Sequence, residues 1–229
     1  MVTKSLVADP GTTPAYSNFG YWLLGRVVAK KRGFDQFYDA IKSHIMEPVQ
    51  VTRLRVSWSL ASAQAPDEAR YHSPDLVLQQ SVMSPDRPWV PREYGDENLE
   101  KMEPSGGLSM AATDFARILA ALNVGAGNPL LSSAALGALL KAAATSFRGH
   151  GWDAMLPQAD GYLGQKGGIL QTSQNSIYYR TGGLAFVVCW NQVGVQGDWY
   201  PWFPEVVSAA SSVAWGKADL FPEYGMPSF

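Results

Sequence analysis

Two short segments of the chain carry side chains that could do chemistry. Residues 10–25, PGTTPAYSNFGYWLLG, place Tyr16 two positions before Asn18, directly after a turn-rich opening. Residues 164–169, GQKGGI, place Lys166 before two glycines at the end of a predicted strand. A tyrosine oxygen can carry a proton during a reaction when nearby cations lower its pKa from about 10, and a lysine supplies such a cation. These two segments are therefore the candidates for a site of proton transfer.

The two segments resemble one superfamily, the serine β-lactamase-like hydrolases, which include class C β-lactamases, D-alanyl-D-alanine peptidases and family VIII carboxylesterases. The first segment looks like the region around the Tyr-x-Asn motif of that family. The sequence QKGG looks like its Lys-Thr-Gly or His-x-Gly motif, and residues 106–108, GGL, add a weaker match. The resemblance covers most of the chain in the right order and implies a β-lactamase-like fold.

The resemblance also implies roles for three side chains. In the family, a serine attacks an ester or amide carbonyl and forms an acyl-enzyme. By resemblance, Tyr16 would shuttle the proton, and Lys166 would lend positive charge to Tyr16 and to a substrate carboxylate. Asn18 would hydrogen-bond the amide of the substrate or help to orient the lysine. Tyr16 and Lys166 are thus the expected catalytic residues, and Asn18 is an expected substrate-binding residue.

The strand that carries Lys166 supplies the other expected substrate-binding residues. Gly167 and Gly168 have no side chains, so a substrate can lie along the strand as an added β-edge. By resemblance, the backbone N–H of Ile169 is the natural second donor of an oxyanion hole.

One motif of the family is missing from the sequence. The family's nucleophile is the serine of a Ser-x-x-Lys motif well upstream of Tyr-x-Asn, and this sequence contains no Ser-x-x-Lys. Because the sequence begins shortly before Tyr16, we expect it to lack the N-terminal helix, the first strands and the nucleophile helix of the family. Missing strands leave an open sheet edge and uncovered apolar surface. We therefore expect a homodimer or an oligomer that exchanges elements.

The residues leave three sources of a nucleophile open. Ser109, in GLSMA, superficially resembles a Gly-x-Ser-x-Gly elbow, but the residues before it do not predict the strand that an elbow requires. Tyr16 itself could attack, because tyrosine can form covalent intermediates. A water molecule activated by Tyr16 or Lys166 is the third route.

Simpler interpretations compete with each of these. Tyr16 could be a packed tyrosine at a helix start with Asn18 as the N-cap, and Lys166 a solvated lysine at a strand end. The acidic residues Asp96, Glu97 and Glu100 are predicted to form a solvated face. The aromatic residues within 199–203 are predicted to cover the core; binding of acyl or aryl groups is the alternative.

Composition excludes several classes of function. The 229 residues include 18 Lys and Arg against 20 Asp and Glu, with no block of like charge, so nucleic acid is not an expected partner. Cys189 lies in an apolar run and is predicted to be buried; as the single cysteine it forms no internal disulfide. The 3 histidines show no ligand spacing, and no metal or organic cofactor is implied. No apolar run approaches a membrane span of about 20 residues. Without the apolar core of a signal peptide at its start, the sequence as written predicts a cytoplasmic protein, although longer relatives can be exported.

The pattern along the chain predicts the elements that position these residues. Helices are expected over 19–33, closed by Gly33, and over 35–46, capped by Asp35 and stopped by Pro48. Residues 51–104 are expected to be a long irregular excursion. A further helix follows residues 106–108 with Thr113 or Ser109 as its cap. Other elements are a helix over 133–144, strands over 149–155, 161–169, 173–180 and 184–191, and a last helix over 205–217. Helices followed by an antiparallel meander and a packing helix indicate an α+β fold in a single β-lactamase-like domain over 1–229.

Two functions remain open on this basis. The first is a hydrolase of small esters or related acyl compounds, which uses Tyr16 and Lys166 with a nucleophile other than the serine of the family. The second is a catalytically inactive remnant that binds a ligand or a protein partner.

Overall fold

The structure is a computed structural model, and it describes most of the chain. The described residues are 5, 8–73, 75–123, 127–141, 150–158, 161–170, 173–181, 183–192, 205–206, 209–210, 212–216 and 218–228. Their helices are α1 (Asn18–Lys31), α2 (Phe37–Ile41), α3 (Ala112–Leu122) and α4 (Ser133–Leu139), with a π-helical turn at Lys42–Met46 directly after α2. Short 3₁₀ turns lie at Ala61–Ala63, Leu99–Lys101, Glu103–Ser105 and Phe221–Tyr224.

The strands form one larger sheet and two small ones. Four consecutive strands, β5 (Ala154–Gln158), β6 (Gly161–Ile169), β7 (Gln174–Arg180) and β8 (Ala185–Trp190), pair in chain order as an antiparallel meander. The strands β1 (Arg55–Val56) and β4 (Leu108–Ser109) pair with each other, as do β2 (Leu78–Gln80) and β3 (Trp89–Pro91). The predicted meander and the α+β organisation are confirmed.

Helix α3 separates two apolar cores. On the side of the four-stranded sheet, Leu119 and Leu122 of α3 pack in the first core; its other buried members are Leu140, Trp152, Met155, Ile177 and Tyr179. On the other side, Ala121 joins a second core with Met46, Val49, Val51, Leu54 and Met226. The helix therefore holds the sheet to the segment that follows α2.

Helix α1 forms where its pattern predicts it, but it buries a different face. Gly33 has a φ of 81° and closes the helix, and the N–H of Phe34 reaches back to the carbonyl of Ala29. The buried residues are Gly25 and Ala29. The apolar residues whose spacing predicts the helix are exposed instead, namely Phe19, Leu23, Leu24, Val27 and Val28. The periodicity indicates the helix correctly, but within the described residues nothing covers that face.

Several predicted boundaries are wrong in detail. Helix α2 has Gln36 as its N-cap instead of Asp35, and neither Ser109 nor Thr113 caps α3, whose N-cap is Ala111. Backbone geometry alone starts these two helices, because neither cap residue accepts a side-chain hydrogen bond. The helix predicted over 133–144 ends earlier, at Leu139, and only residues 142–144 of that prediction lie outside the described residues. Of the last helix predicted over 205–217, the described residues 205–206 and 209–210 are helical, whereas 212–216 are not.

The prediction that Cys189 is buried is wrong. Its side chain is exposed, although the surrounding strand desolvates the thiol enough to raise its pKa. The residue pairs with Asn175 across β7 and β8, and both side chains are exposed. The apolar run around Cys189 indicates a strand correctly, and alternation places Cys189 on the same face as Val187, which packs on the first core. Cys189 is the next-to-last residue of β8 and is not among the residues of that core, so its side chain remains exposed.

Among the described residues, no helix combines the length and the hydrophobicity that a membrane span requires.

Candidate active site

Tyr16 lies at the entrance to α1, in the turn before its first residue. Ser17 is the N-cap, since its Oγ accepts a hydrogen bond from the N–H of Gly20 at 2.9 Å. Asn18 is therefore not the cap. Instead, its Oδ1 accepts a hydrogen bond from the Tyr16 hydroxyl at 2.5 Å. The Tyr16 side chain is 80% exposed, so apart from this bond it is free to turn in solvent.

The body of α1 is fixed against the loop that precedes α3. Pro104 packs so closely on Gly25 that a Cβ at residue 25 would overlap its ring. The indole N–H of Trp22 donates to the carbonyl of Lys101 at 2.9 Å. Farther along the same loop, Gly106 lies beside Leu170, which directly follows β6. The loop therefore connects the helix that Tyr16 precedes with the end of the strand that carries Lys166.

The second half of β6 has a free edge on the side of β5. The pairing with β5 ends at Gln165, and no described strand pairs with residues 166–169 on that side. The N–H of Leu170 points to β7, where it donates to the carbonyl of Ser173. Because successive N–H groups of a strand alternate in direction, those of Gly167 and Ile169 point to the free edge. Residues 166–169 therefore have no strand partner on this side within the described chain.

On its other side, β6 is paired with β7. Gly168 pairs with Asn175, whose side-chain amide would lie 3.2 Å from a Cβ at residue 168. A glycine at this position lets the amide of Asn175 lie close over the backbone of β6.

Asp153 holds the Lys166 ammonium at the free edge. Lys166 Nζ lies 3.0 Å from Asp153 Oδ1 and 3.3 Å from Oδ2, and it also donates to the carbonyl of Gly167 at 2.7 Å. Asp153 Oδ2 accepts a further hydrogen bond from the N–H of Gly167 at 2.7 Å. The exposed fractions of the two side chains are 37% for Lys166 and 48% for Asp153. The ion pair is thus open to solvent and accessible to a ligand.

Tyr16 and Lys166 are not in contact. The phenol bonds to Asn18 and the ammonium to Asp153 and Gly167, and no hydrogen bond joins the two candidate catalytic side chains. The structure thus brings together Lys166, Gly167, Gly168 and Ile169 on one strand, and Tyr16 with Asn18 at α1, as two separate groups.

Asp153 is the residue that the sequence pattern missed. A signal for it exists in the hairpin register, in which Gln158 pairs with Gly161 and Ala154 with Gln165. One further step places Asp153 opposite Lys166. Predicted strand limits alone do not define this register, because a shift by one residue sends each side chain to the other face.

Ser109 has no base beside it. It lies in β4, where it pairs with Arg55, and three residues before α3 begins. Its hydroxyl makes no hydrogen bond within the described part of the chain, and an activated serine needs a base within hydrogen-bond reach.

The predicted solvated face of acidic residues is wrong for all three members. Asp96 and Glu97 are partly buried, and desolvation raises the pKa of both carboxyl groups; the charge of Asp96 raises that of Glu97 further. Glu100 accepts hydrogen bonds from the N–H and the hydroxyl of Ser59. It is therefore a structural acceptor. The aromatic residues within 199–203 lie outside the described part of the chain.

The described residues contain no group of three or more His, Cys, Asp or Glu side chains that could hold a metal ion.

Comparison with models of protein families shows to which family the chain belongs. A model of the beta-lactamase family matches residues 1–210. The chain belongs to the beta-lactamase family. The predicted resemblance is confirmed, and the family is one of β-lactamase-like hydrolases. A comparison with functionally curated proteins found no match.

Solved structures show the same fold. The D-amino acid amidase from Ochrobactrum anthropi SV3, in complex with D-phenylalanine, superposes with a TM-score of 0.61 at 19% identity over 90% of this chain. SurE gives a TM-score of 0.62 at 18% identity over 98% of this chain, and FmtA from Staphylococcus aureus 0.53 at 15% over 79%. The chain spans 61%, 48% and 45% of these three proteins, respectively, so it corresponds to only part of each.

Proposed function

We propose that the chain hydrolyses small esters or related acyl compounds at the free edge of β6. The observation that carries this proposal is the Ile169 N–H on that edge, in the same strand as Lys166, whose ammonium donates to the carbonyl of Gly167. A backbone N–H and a cation on one strand edge can stabilise the negative charge that develops on an acyl oxygen. Esters are the expected substrates, because hydrolysis of a β-lactam amide requires the complete acylation machinery of the family.

Tyr16 is the proposed proton carrier of this reaction. In the present arrangement its hydroxyl donates a hydrogen bond to Asn18 Oδ1. As proton carrier, Tyr16 would pass its proton to the leaving group while it accepts one from the nucleophile. The exposed side chain is free to turn, which leaves an approach to a bound substrate open.

An attacking water is the proposed nucleophile. Among the described residues, no base is hydrogen-bonded to the Ser109 hydroxyl, and attack by Tyr16 would leave the reaction without its proton carrier. If a water activated at Tyr16 is the nucleophile, Tyr16 remains the proton carrier and no further catalytic residue is required. The amidase relative, solved with D-phenylalanine and with L-phenylalanine amide, supports small acyl compounds as the ligand class.

The test compares turnover of p-nitrophenyl acetate and butyrate by the wild type, Tyr16→Phe and Tyr21→Phe. Tyr21→Phe is the matched control, because it removes another exposed hydroxyl, from the helix that Tyr16 precedes. Loss of a general acid–base group should lower turnover by about a hundredfold or more in Tyr16→Phe alone. Intact mass would detect an acyl adduct, which the water route does not form. Turnover no faster than buffer, or equal in all three proteins, would exclude Tyr16 as the proton carrier.

A second candidate function is a remnant that binds acyl ligands without turning them over. The lack of a hydrogen bond between Tyr16 and Lys166 favours it. Such a protein would bind esters at β6, detectable as shifts of the Gly167 and Ile169 amide resonances, and would release them unchanged.

We also propose that a second copy of the chain covers α1. Five apolar side chains on this helix, those of Phe19, Leu23, Leu24, Val27 and Val28, are between 42% and 59% exposed. Its 14 residues give a strip about 21 Å long. A standard interface buries about 800 Å² per partner, so the strip would form the apolar centre of a two-fold contact and neighbouring residues its rim.

A further inference from the structure

We propose that Asp153 determines which acyl compounds this site accepts. Its carboxylate fills the anion position beside Lys166, so that the site selects neutral esters and amides over compounds that carry a carboxylate. The inference rests on the proposed function, since it names the substrate class of the same strand edge.

The carboxylate of Asp153 uses the groups that an incoming carboxylate would need. Oδ1 lies 3.0 Å from the Lys166 ammonium, and Oδ2 accepts the N–H of Gly167 at 2.7 Å. A ligand carboxylate lying along β6 would bind through the same cation and the same N–H. The carbonyl of Gly167 is also occupied, because it accepts a hydrogen bond from Lys166. The side chains of Asp153 and Lys166 thus occupy the two backbone groups of Gly167 with which the end of an extended ligand would pair.

Charge then separates two kinds of ligand. A carboxylate that approaches Lys166 meets the negative charge of Asp153 within hydrogen-bond distance of the same ammonium, and like charges brought together disfavour binding. A neutral acyl oxygen meets no such repulsion. It can accept the N–H of Ile169, two residues along the same edge, while Asp153 stays in place.

The ion pair is suited to a test by mutation. Both side chains are exposed by more than a third, and exposed ion pairs contribute little to stability. Asp153→Asn keeps an oxygen that can accept the N–H of Gly167 but removes the charge. Asp153→Ala removes both. The matched control is Asp67→Asn, which removes the carboxylate of another exposed pair, that of Asp67 with Arg55 of β1.

The probes are N-acetylglycine and N-acetylglycinamide, which are identical except that the first carries a carboxylate and the second a carboxamide. Each is titrated into the full chain, and binding is followed by the amide resonances of Gly167 and Ile169, so that no turnover is required. Ester hydrolysis is measured on the same proteins as an independent readout.

The wild type and Asp67→Asn should bind the carboxamide about fivefold more tightly than the carboxylate, which corresponds to the upper end of an exposed charge interaction. Both Asp153 variants should lose or reverse that preference, since Lys166 is then free for the ligand carboxylate. An unchanged preference in Asp153→Asn and Asp153→Ala would overturn the inference, as would probes that never shift the two resonances. A preference that changes without any hydrolysis would refute only the proposed catalysis. Hydrolysis with an unchanged preference would refute only the role of Asp153.

Discussion

The ring of Pro104 occupies the space that a side chain on Gly25 would fill. This contact docks the buried face of α1 onto the 3₁₀ turn Glu103–Ser105, and the same loop reaches Leu170 at the end of β6. The relative placement of Tyr16 and Lys166 therefore depends on a helix–loop contact that tolerates no Cβ.

Gly25→Ala should destabilise the protein because the added methyl group overlaps Pro104. Forcing a methyl group into a packed contact costs about 1 to 3 kcal/mol of unfolding free energy. Gly20→Ala is the matched control in the same helix, since its Cβ would meet only ordinary contacts at 3.4 Å from Ser17. Alanine favours a helix over glycine by about 1 kcal/mol, so this variant should be neutral or slightly more stable. Urea denaturation of both variants checks the difference, and equal stabilities would contradict the tight contact.

The elements of the sheet could be predicted from the sequence, whereas the partners of the site residues could not. Alternation and turn residues placed β6, β7 and β8, because each strand carries its own local signal, whereas β5 begins five residues later than predicted. The Asp153–Lys166 pair depends on the hairpin register, which no single strand encodes.

Helix α1 shows a second limit of the sequence. Its apolar spacing predicts a buried face, but the buried residues are Gly25 and Ala29. Small residues mark a close backbone approach and give almost no signal in a hydrophobic pattern. Within the described chain, the apolar residues whose spacing predicts the helix remain exposed.

Arg53→Ala should cost more stability than Asp114→Ala, although both break one ion pair. Asp114 is fully buried and accepts three hydrogen bonds from Arg53, whose side chain is 41% exposed. Loss of Arg53 leaves a buried charge without its cation, at a cost of about 3 to 5 kcal/mol. Loss of Asp114 leaves an arginine that water can solvate. Thermal unfolding of the two variants measures the order, and a larger loss in Asp114→Ala would show that the arginine is the costlier group to leave alone.

Leu24→Lys and Val28→Lys should shift the protein to a monomer if a second copy covers α1. A lysine at the centre of an apolar contact is disfavoured, because burial of an unpaired charge is costly. Light scattering after size exclusion at micromolar concentration measures the mass. Val82→Lys, at an exposed valine in the loop after β2, is the control and should keep the mass of the wild type. A wild type that is already a strict monomer would refute the proposed contact.

Glu97→Gln should stabilise the protein at neutral pH. Burial and the charge of Asp96 raise the pKa of the Glu97 carboxyl group in the folded state, so its ionised form costs folding free energy. Removing that charge should increase the free energy of unfolding by a few tenths to about 1 kcal/mol at pH 7, since the side chain is only partly buried. The sign follows from proton binding. The folded state binds the proton of Glu97 more readily than the unfolded state, so acidification stabilises the wild type relative to the variant. The advantage of the variant should be complete above the raised pKa and should disappear as the pH falls to the ordinary value of 4.5.

Urea denaturation at pH 7 and at pH 4 measures this dependence. Asp86→Asn removes an exposed carboxylate that forms no ion pair with the described residues, so it is the control for a change of net charge. A gain of equal size at both pH values would mean that the glutamine stabilises by packing instead of by the lost charge. A gain in stability shared by Glu97→Gln and Asp86→Asn would mean that the changed net charge of the whole chain is its cause.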